Sequence, residues 1–212
     1  MTKKKNTIKY YSLDNILKTE SDYNIIFGER SNGKTFAVLE YAIKKFLENG
    51  EQTAYIRRWR EDLRGKRAES MYNNHVANGL IENLSGGLWS GVTFKNSKWY
   101  LTNENETSET PFCFAFALSE QEHEKSTSYP NITTIIFDEF LTRRYYLPDE
   151  FMLFMNLLST IIRQRNNIKI FMLGNAVNKF CPYFLEMGLK NVGTQKQGTI
   201  DLYKFGKEGV KI

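Results

Sequence analysis

Short apolar runs bounded by turn residues recur along the chain at residues 24–27, 53–56, 112–118, 133–137 and 168–173. Runs of that length without polar alternation predict strands buried on both faces. Between the first two runs, Phe36, Val38, Leu39, Ala42, Ile43, Phe46 and Leu47 recur at helical spacing until Asn49-Gly50 ends the pattern. Residues 24–56 therefore read as a βαβ unit. A second helix is predicted at 150–162, between the strands ending at Phe137 and beginning at Ile168, which implies another crossover and a parallel sheet. Residues 89–102 predict a hairpin turning at Lys95-Asn96-Ser97, antiparallel at the sheet edge. Residues 199–205 read as one more strand, followed by a polar, glycine-containing end that resembles a linker. The expected architecture is α/β: a mostly parallel central sheet flanked by helices, with an antiparallel hairpin at one edge. One domain is expected over 1–197, with 198–212 as its last strand and the start of a linker.

Composition narrows the class. Of 212 residues, 41% are hydrophobic, enough for a buried core. The formal charge of +5 favours a polyanionic partner without choosing among nucleic acid, membrane surface or ribosome-sized targets. Cys113 and Cys181 lack CxxC spacing and a nearby histidine pair, so a reducing, cytosolic setting is expected, with neither a disulfide framework nor a zinc site. The basic start, Met-Thr-Lys-Lys-Lys-Asn, is not followed by an apolar run, and no eighteen uncharged apolar residues occur in succession. No signal peptide and no membrane partner are expected.

The chemistry concentrates after the first strand. Gly28, Glu29, Arg30, Ser31, Asn32, Gly33, Lys34 and Thr35 match the phosphate-binding pattern G-x-x-x-x-G-K-[ST]. The glycines let the backbone curl so that its N–H groups face phosphate oxygens, aided by the positive end of the helix that follows. Lys34 would reach the β and γ phosphates, and Thr35 would place its hydroxyl on Mg²⁺. A chance glycine-rich turn is the plain alternative, but a strand before and an amphipathic helix after are the setting this pattern requires. Thr-Thr-Ile-Ile-Phe-Asp138-Glu139 adds an acidic pair at the end of a buried strand. Asp138 would hold Mg²⁺ or its water, and Glu139 would polarise the attacking water as general base. Adjacent Asp and Glu, with no Asn-Lys-x-Asp base-reading motif, favour repeated ATP hydrolysis over nucleotide-kinase or switch-GTPase chemistry. Asn175 ends the apolar stretch Ile170-Phe-Met-Leu-Gly-Asn175 beside the expected position of Asp138, and both a γ-phosphate sensor and a simple turn cap fit it.

Six basic residues lie between Arg57 and Arg67 with Trp59 among them, a pattern suited to phosphate-backbone or intersubunit contact. Arg143-Arg144 and Lys125 are weaker candidates of the same kind. Arg163 and Arg165 follow the predicted helix at 150–162. Spacing alone favours arginines that complement the helix dipole, although a residue so placed can act as an arginine finger in a neighbour's site.

These segments together resemble a family: the ATPase domain of bacteriophage DNA-packaging motors, particularly the compact phi-29-like packaging ATPases. The resemblance runs from about Ile16 to Tyr183. Its carriers are Gly28 to Thr35, Tyr55-Ile-Arg-Arg-Trp-Arg60, Glu124-Lys-Ser-Thr-Ser-Tyr-Pro-Asn131, Ile136-Phe-Asp-Glu-Phe140, Asn156 to Arg165, Gly174-Asn-Ala-Val-Asn and Pro182-Tyr-Phe184. The resemblance implies a P-loop NTPase fold of the additional-strand, conserved-glutamate type. It also implies a homomeric ring of five subunits at the portal vertex of an empty capsid in the host cytoplasm, where ATP and Mg²⁺ drive double-stranded DNA inward and a packaging RNA joins ring to capsid in some members. Arg163 matches the family's trans-acting arginine, which overturns the dipole reading. Lys125 matches a basic residue at the subunit interface, and Arg60 falls where the family has a lysine. The family's nuclease-like second domain has no counterpart in these residues. Two other classes are weighed against this reading: a DNA-remodelling or repair ATPase acting outside a capsid, and a non-enzymatic, ATP-responsive assembly adaptor.

Overall fold

The computed structural model describes residues 11–120, 127–175, 181–206 and 209–212. In chain order they form α1 (Asp14–Leu17), β1 (Tyr23–Gly28), α2 (Lys34–Asn49), β2 (Gln52–Arg57) and a 3-10 turn (Arg60–Leu63). Three short helices follow, α3 (Gly65–Glu69), α4 (Asn73–Ala77) and α5 (Leu80–Leu84), then β3 (Gly91–Lys95), β4 (Lys98–Thr102), β5 (Cys113–Ala117) and β6 (Ile132–Asp138). The chain continues through α6 (Glu150–Ile162), β7 (Lys169–Asn175), α7 (Pro182–Glu186), β8 (Lys204–Phe205) and β9 (Val210–Lys211).

Seven strands form one sheet in the order β1-β7-β6-β2-β5-β4-β3. The first five are mutually parallel, and the β3–β4 hairpin adds antiparallel to β5 at the edge. Its turn is made by Asn96 and Ser97, both left-handed, as a two-residue hairpin turn requires. The strands flanking α2 are parallel, as expected of a βαβ unit, but they do not pair with each other: β7 and β6 lie between them. Those two strands carry long runs buried on both faces, so they take the middle of the sheet and α2 crosses over them. β7 is the additional strand between the phosphate-loop strand and the strand that ends in Asp138.

Alternation along each strand divides the core in two. Ile135, Phe137, Ile170 and Met172 meet Phe154, Leu157, Leu158 and Ile161 of α6 and Tyr183 and Phe184 of α7. Tyr55, Ile136, Phe171 and Leu173 meet Val38, Leu39, Ala42 and Ile43 of α2 on the other face. α2 ends where expected: Gly50 is left-handed and its N–H donates to the Phe46 carbonyl at 2.8 Å, satisfying one of the last orphan acceptors. Among the described residues, no helix is long and apolar enough to cross a membrane.

The tail departs from expectation. Only Lys204–Phe205 of the predicted strand at 199–205 is extended, pairing with β9, while Ile200 and Leu202 stay exposed. The end does not behave as a free linker either. Ile212 is buried in the α6-side core, Asp22 N–H donates to the Lys211 carbonyl at 3.1 Å, and Lys211 N–H donates to the Asp22 carboxylate at 3.2 Å. A buried apolar side chain and two hydrogen bonds between Lys211 and Asp22, one to its main chain and one to its carboxylate, outweigh the local glycine signal.

Candidate functional site

The phosphate-binding pattern forms a loop between β1 and α2. The curl falls at Ser31 (φ 60°) and Gly33 (φ 85°), while Gly28 keeps an ordinary strand conformation. Gly33 meets the sequence-based reason for a glycine; Gly28 does not need one on conformational grounds. Lys34 opens α2 with only 6% of its surface exposed. Its ammonium donates to the Glu29 carbonyl at 2.7 Å and to Asn32 Oδ1 at 3.0 Å, so the loop's own oxygens hold it over the concavity. Burial lowers its pKa, with the Asp138 charge opposing the shift.

Asp138 projects from the end of β6 onto the α2 side, where Thr35 Oγ1 donates to its two oxygens at 3.4 and 3.3 Å. Tyr55 OH donates to Oδ2 at 2.9 Å, and the Glu139 N–H donates to Oδ1 at 3.0 Å. Burial is the main influence on this carboxyl and raises its pKa, against the lowering effect of Arg57 and the Tyr55 hydrogen bond. Glu139 follows in the left-handed region (φ 57°), and its exposed carboxylate meets Arg57 Nη2 at 2.6 Å. Asn175, at the end of β7, lies opposite Gly28 in the parallel register. Ser31, Asn32, Gly33, Lys34, Thr35, Asp138, Glu139 and Asn175 together bound a concavity of about 220 Å³. An adjoining cleft of about 800 Å³ shares Glu139 and Asn175 with it and is lined by Arg30, Arg57, Arg143 and Arg144. The fold permits this convergence because Phe140 and Leu141 turn back across β7 at Gly174, where a Cβ would stand 2.8 Å from the Leu141 side chain.

The basic run needs a correction. Arg58 is buried against Glu150, Arg57 is held between Glu139 and Asp62, Arg67 pairs with Asp62 at 2.7 Å, and Arg60 approaches Glu120 at 3.5 Å. Asp62 within the run and Glu120, Glu139 and Glu150 far from it in sequence neutralise much of what reads locally as an uncompensated basic patch; Arg64 and Lys66 remain exposed.

Arg163 is the exposed C-cap of α6, left-handed at φ 43°, and donates to the Thr127 carbonyl at 2.9 Å. It sits by the start of β6, whereas Glu139 follows its end. Seven strand residues separate the two by roughly 20 Å at about 3.3 Å per residue, beyond the reach of one side chain. Arg165 differs: its guanidinium donates to the carbonyls of Tyr129, Pro130, Ile132, Ile161 and Ile162 within the same chain. Lys125 lies outside the described residues. Tyr55, Arg58 and Tyr183 enter the sequence reading only as members of the basic run or of the family-like segments, and Glu150 only as a helix start; none is given its role at the site there. Their signal, strand parity combined with strand order, requires knowing that β2 lies beside β6.

Comparisons with known proteins find similarity to phage DNA packaging proteins. The chain is 31% identical over 183 residues to the DNA packaging protein of Bacillus phage phi29, a match covering 85% of this chain and 50% of that protein. It thus spans about half the length of the curated relatives it matches. Its fold is similar to the N-terminal domain of the DNA packaging ATPase from bacteriophage phi29, with a TM-score of 0.73 and 28% identity, covering 91% of this chain and 92% of that one. A chain of the Phi-29 viral genome packaging motor assembly gives a TM-score of 0.67 at 31% identity, over 83% of this chain and 50% of that one. A family model described as podovirus DNA encapsidation protein (Gp16) matches residues 5–197, a span that contains the loop, the acidic pair and the whole seven-stranded sheet, and the chain belongs to that family.

Proposed function

We propose that this chain is the ATP-hydrolysing part of a motor that drives double-stranded viral DNA into a preformed capsid. The observation that carries the reading is the convergence of Lys34, Thr35, Asp138 and Glu139 on one concavity at the ends of β1 and β6. The loop N–H groups from Glu29 to Thr35 and the N-terminus of α2 would bind the phosphates, and Lys34 would exchange its loop oxygens for them. Thr35 and Asp138 suit Mg²⁺, since both offer hard oxygen atoms, already 3.3–3.4 Å apart. When bound, Mg²⁺ would neutralise charge on the β and γ oxygens. Glu139 would orient the attacking water and take its proton, and the Asn175 amide would donate toward the γ phosphate.

Arg163 would serve a neighbouring subunit, its distance from Glu139 of the same chain supporting action in trans. This reading places Arg60 and Lys125 at the same interface in a homomeric ring of five, whereas Arg165 is engaged within its own chain. The ring would dock at the portal vertex of the prohead in the host cytoplasm, with a packaging RNA as a further partner. The names of the phi29 relatives, DNA packaging protein and packaging ATPase, support this role.

Lys34→Ala is expected to abolish nucleotide binding, and Glu139→Gln to retain binding while slowing turnover roughly 10²- to 10⁴-fold. Steady-state phosphate release and binding of a fluorescent ATP analogue measure both; undiminished turnover in either variant would overturn the assignment.

A further inference from the structure

Arg58 emerges from the end of β2 with its side chain almost wholly buried, on the face of the sheet opposite Tyr55 and Arg57. Its Nε and Nη2 donate to the two Glu150 oxygens at 2.6 and 2.8 Å. Nη1 donates to the Glu139 carbonyl at 3.2 Å, and Nη2 to the Phe140 carbonyl at 2.7 Å. Glu150, at the first turn of α6, is fully enclosed and also accepts from the Leu147 N–H and the Tyr183 hydroxyl, each at 2.8 Å. The guanidinium lies 5.0 Å from the Tyr146 ring centre and 5.9 Å from that of Phe137. This fork is therefore fixed on every side.

Its target is the left-handed turn at Glu139 (φ 57°). A non-glycine residue persists in that conformation where its surroundings over-determine it, and the Glu139 and Phe140 carbonyls are the groups whose directions follow from the twist. Buried ion pairs of this kind are weak evidence for stability, because apolar replacements of similar volume are often neutral or stabilising. What the pair provides instead is geometry.

We propose that Arg58, held by Glu150 and Tyr183, is a positioning residue that sets the turn aiming the Glu139 carboxylate at the reacting phosphate. The inference rests on Glu139 acting as the general base. Arg58 also borders the larger cleft beside Glu139, but its guanidinium is bonded to the main chain of Glu139 and Phe140 and would act through it. A lysine at this position would keep the charge but not the planar fork that serves one carboxylate and two carbonyls together.

The test compares the full-length wild type with Arg58→Lys, with Arg58→Met/Glu150→Leu/Tyr183→Phe, and with each change added to Glu139→Gln. ATP-analogue affinity, KM, kcat and thermal unfolding are read for all. The expected result is a 10- to 100-fold lower kcat in Arg58→Lys and in the triple variant. KM and analogue affinity should stay within about threefold, and the triple variant should still unfold cooperatively. In the Glu139→Gln background the same changes should lower kcat little further, as expected of groups acting as one unit. Wild-type kcat in either variant would overturn the proposal, as would losses that add fully to that of Glu139→Gln or that track loss of analogue binding. Unchanged turnover in Glu139→Gln alone would instead overturn the reading of the site, so the two failures are distinct.

Discussion

Burial pushes the Asp138 carboxyl above the usual aspartate range, with Arg57 and Tyr55 opposing the shift. An aspartate whose folded pKa stands above its unfolded value contributes stability that is present below the unfolded pKa and lost as pH rises through the folded one. Near neutrality the ionised carboxylate thus works against the fold while keeping an oxygen available for a cation. Asp138→Asn is expected to unfold at a higher temperature than wild type at pH 7, with the difference shrinking toward pH 4, and to lose Mg²⁺-dependent nucleotide binding. Calorimetry across that range checks the sign, and a lower melting temperature at pH 7 would contradict it. At this scale Lys34, Thr35, Asp138 and Glu139 were legible because the motif spacing is local. Tyr55 and Arg58 were not, because their partners lie 83 and 92 residues away and become neighbours only when β2 pairs with β6.

β6 and α6 are fastened to each other at both ends by arginines: Arg58 joins the exit of β6 to the first turn of α6, and Arg165 joins the last turn of α6 to the approach to β6. Removing Arg165 deprives five carbonyls of a donor. Arg165→Ala is expected to destabilise the fold by about 1–3 kcal/mol, the range for partly buried groups left unsatisfied. That is a drop of roughly 2–12 °C at about 2–4 °C per kcal/mol for a chain of this size. Arg165→Lys should recover little, since one ammonium cannot span five acceptors; urea unfolding at neutral pH measures both. The elements themselves were largely readable. The five parallel strands, α2, α6 and the edge hairpin follow apolar runs and helical spacing within a residue or two. α3, α4 and α5 were not, being five-residue helices too short for a periodicity to declare itself, and the tail strand shrank because no sheet edge receives Ile200 and Leu202.

Over the whole molecule, the concavity and Arg163 lie at opposite ends of β6; on the proposed reading a single chain carries one half of each of two composite sites. Mixing Arg163→Ala chains with Asp138→Asn chains is expected to restore ATP turnover that neither has alone. In randomly mixed rings the recovery should be partial, because only junctions pairing an intact concavity with an intact arginine can fire. No recovery in assembled rings would contradict action in trans. The trans role is implied by the family resemblance, whereas spacing by itself favours a dipole role; the length of β6 sets the distance that supports the trans reading. The terminal hairpin carries another consequence. Lys211 is bonded to Asp22, whose carbonyl accepts from Ile170 N–H at 2.8 Å, and six residues later β1 reaches Gly28. Tension applied at Lys211 enters the sheet at the root of the phosphate-loop strand and is shared at once with β7, which ends in Asn175. A load borne at that point bears mechanically on both strands that frame the concavity proposed to take the nucleotide.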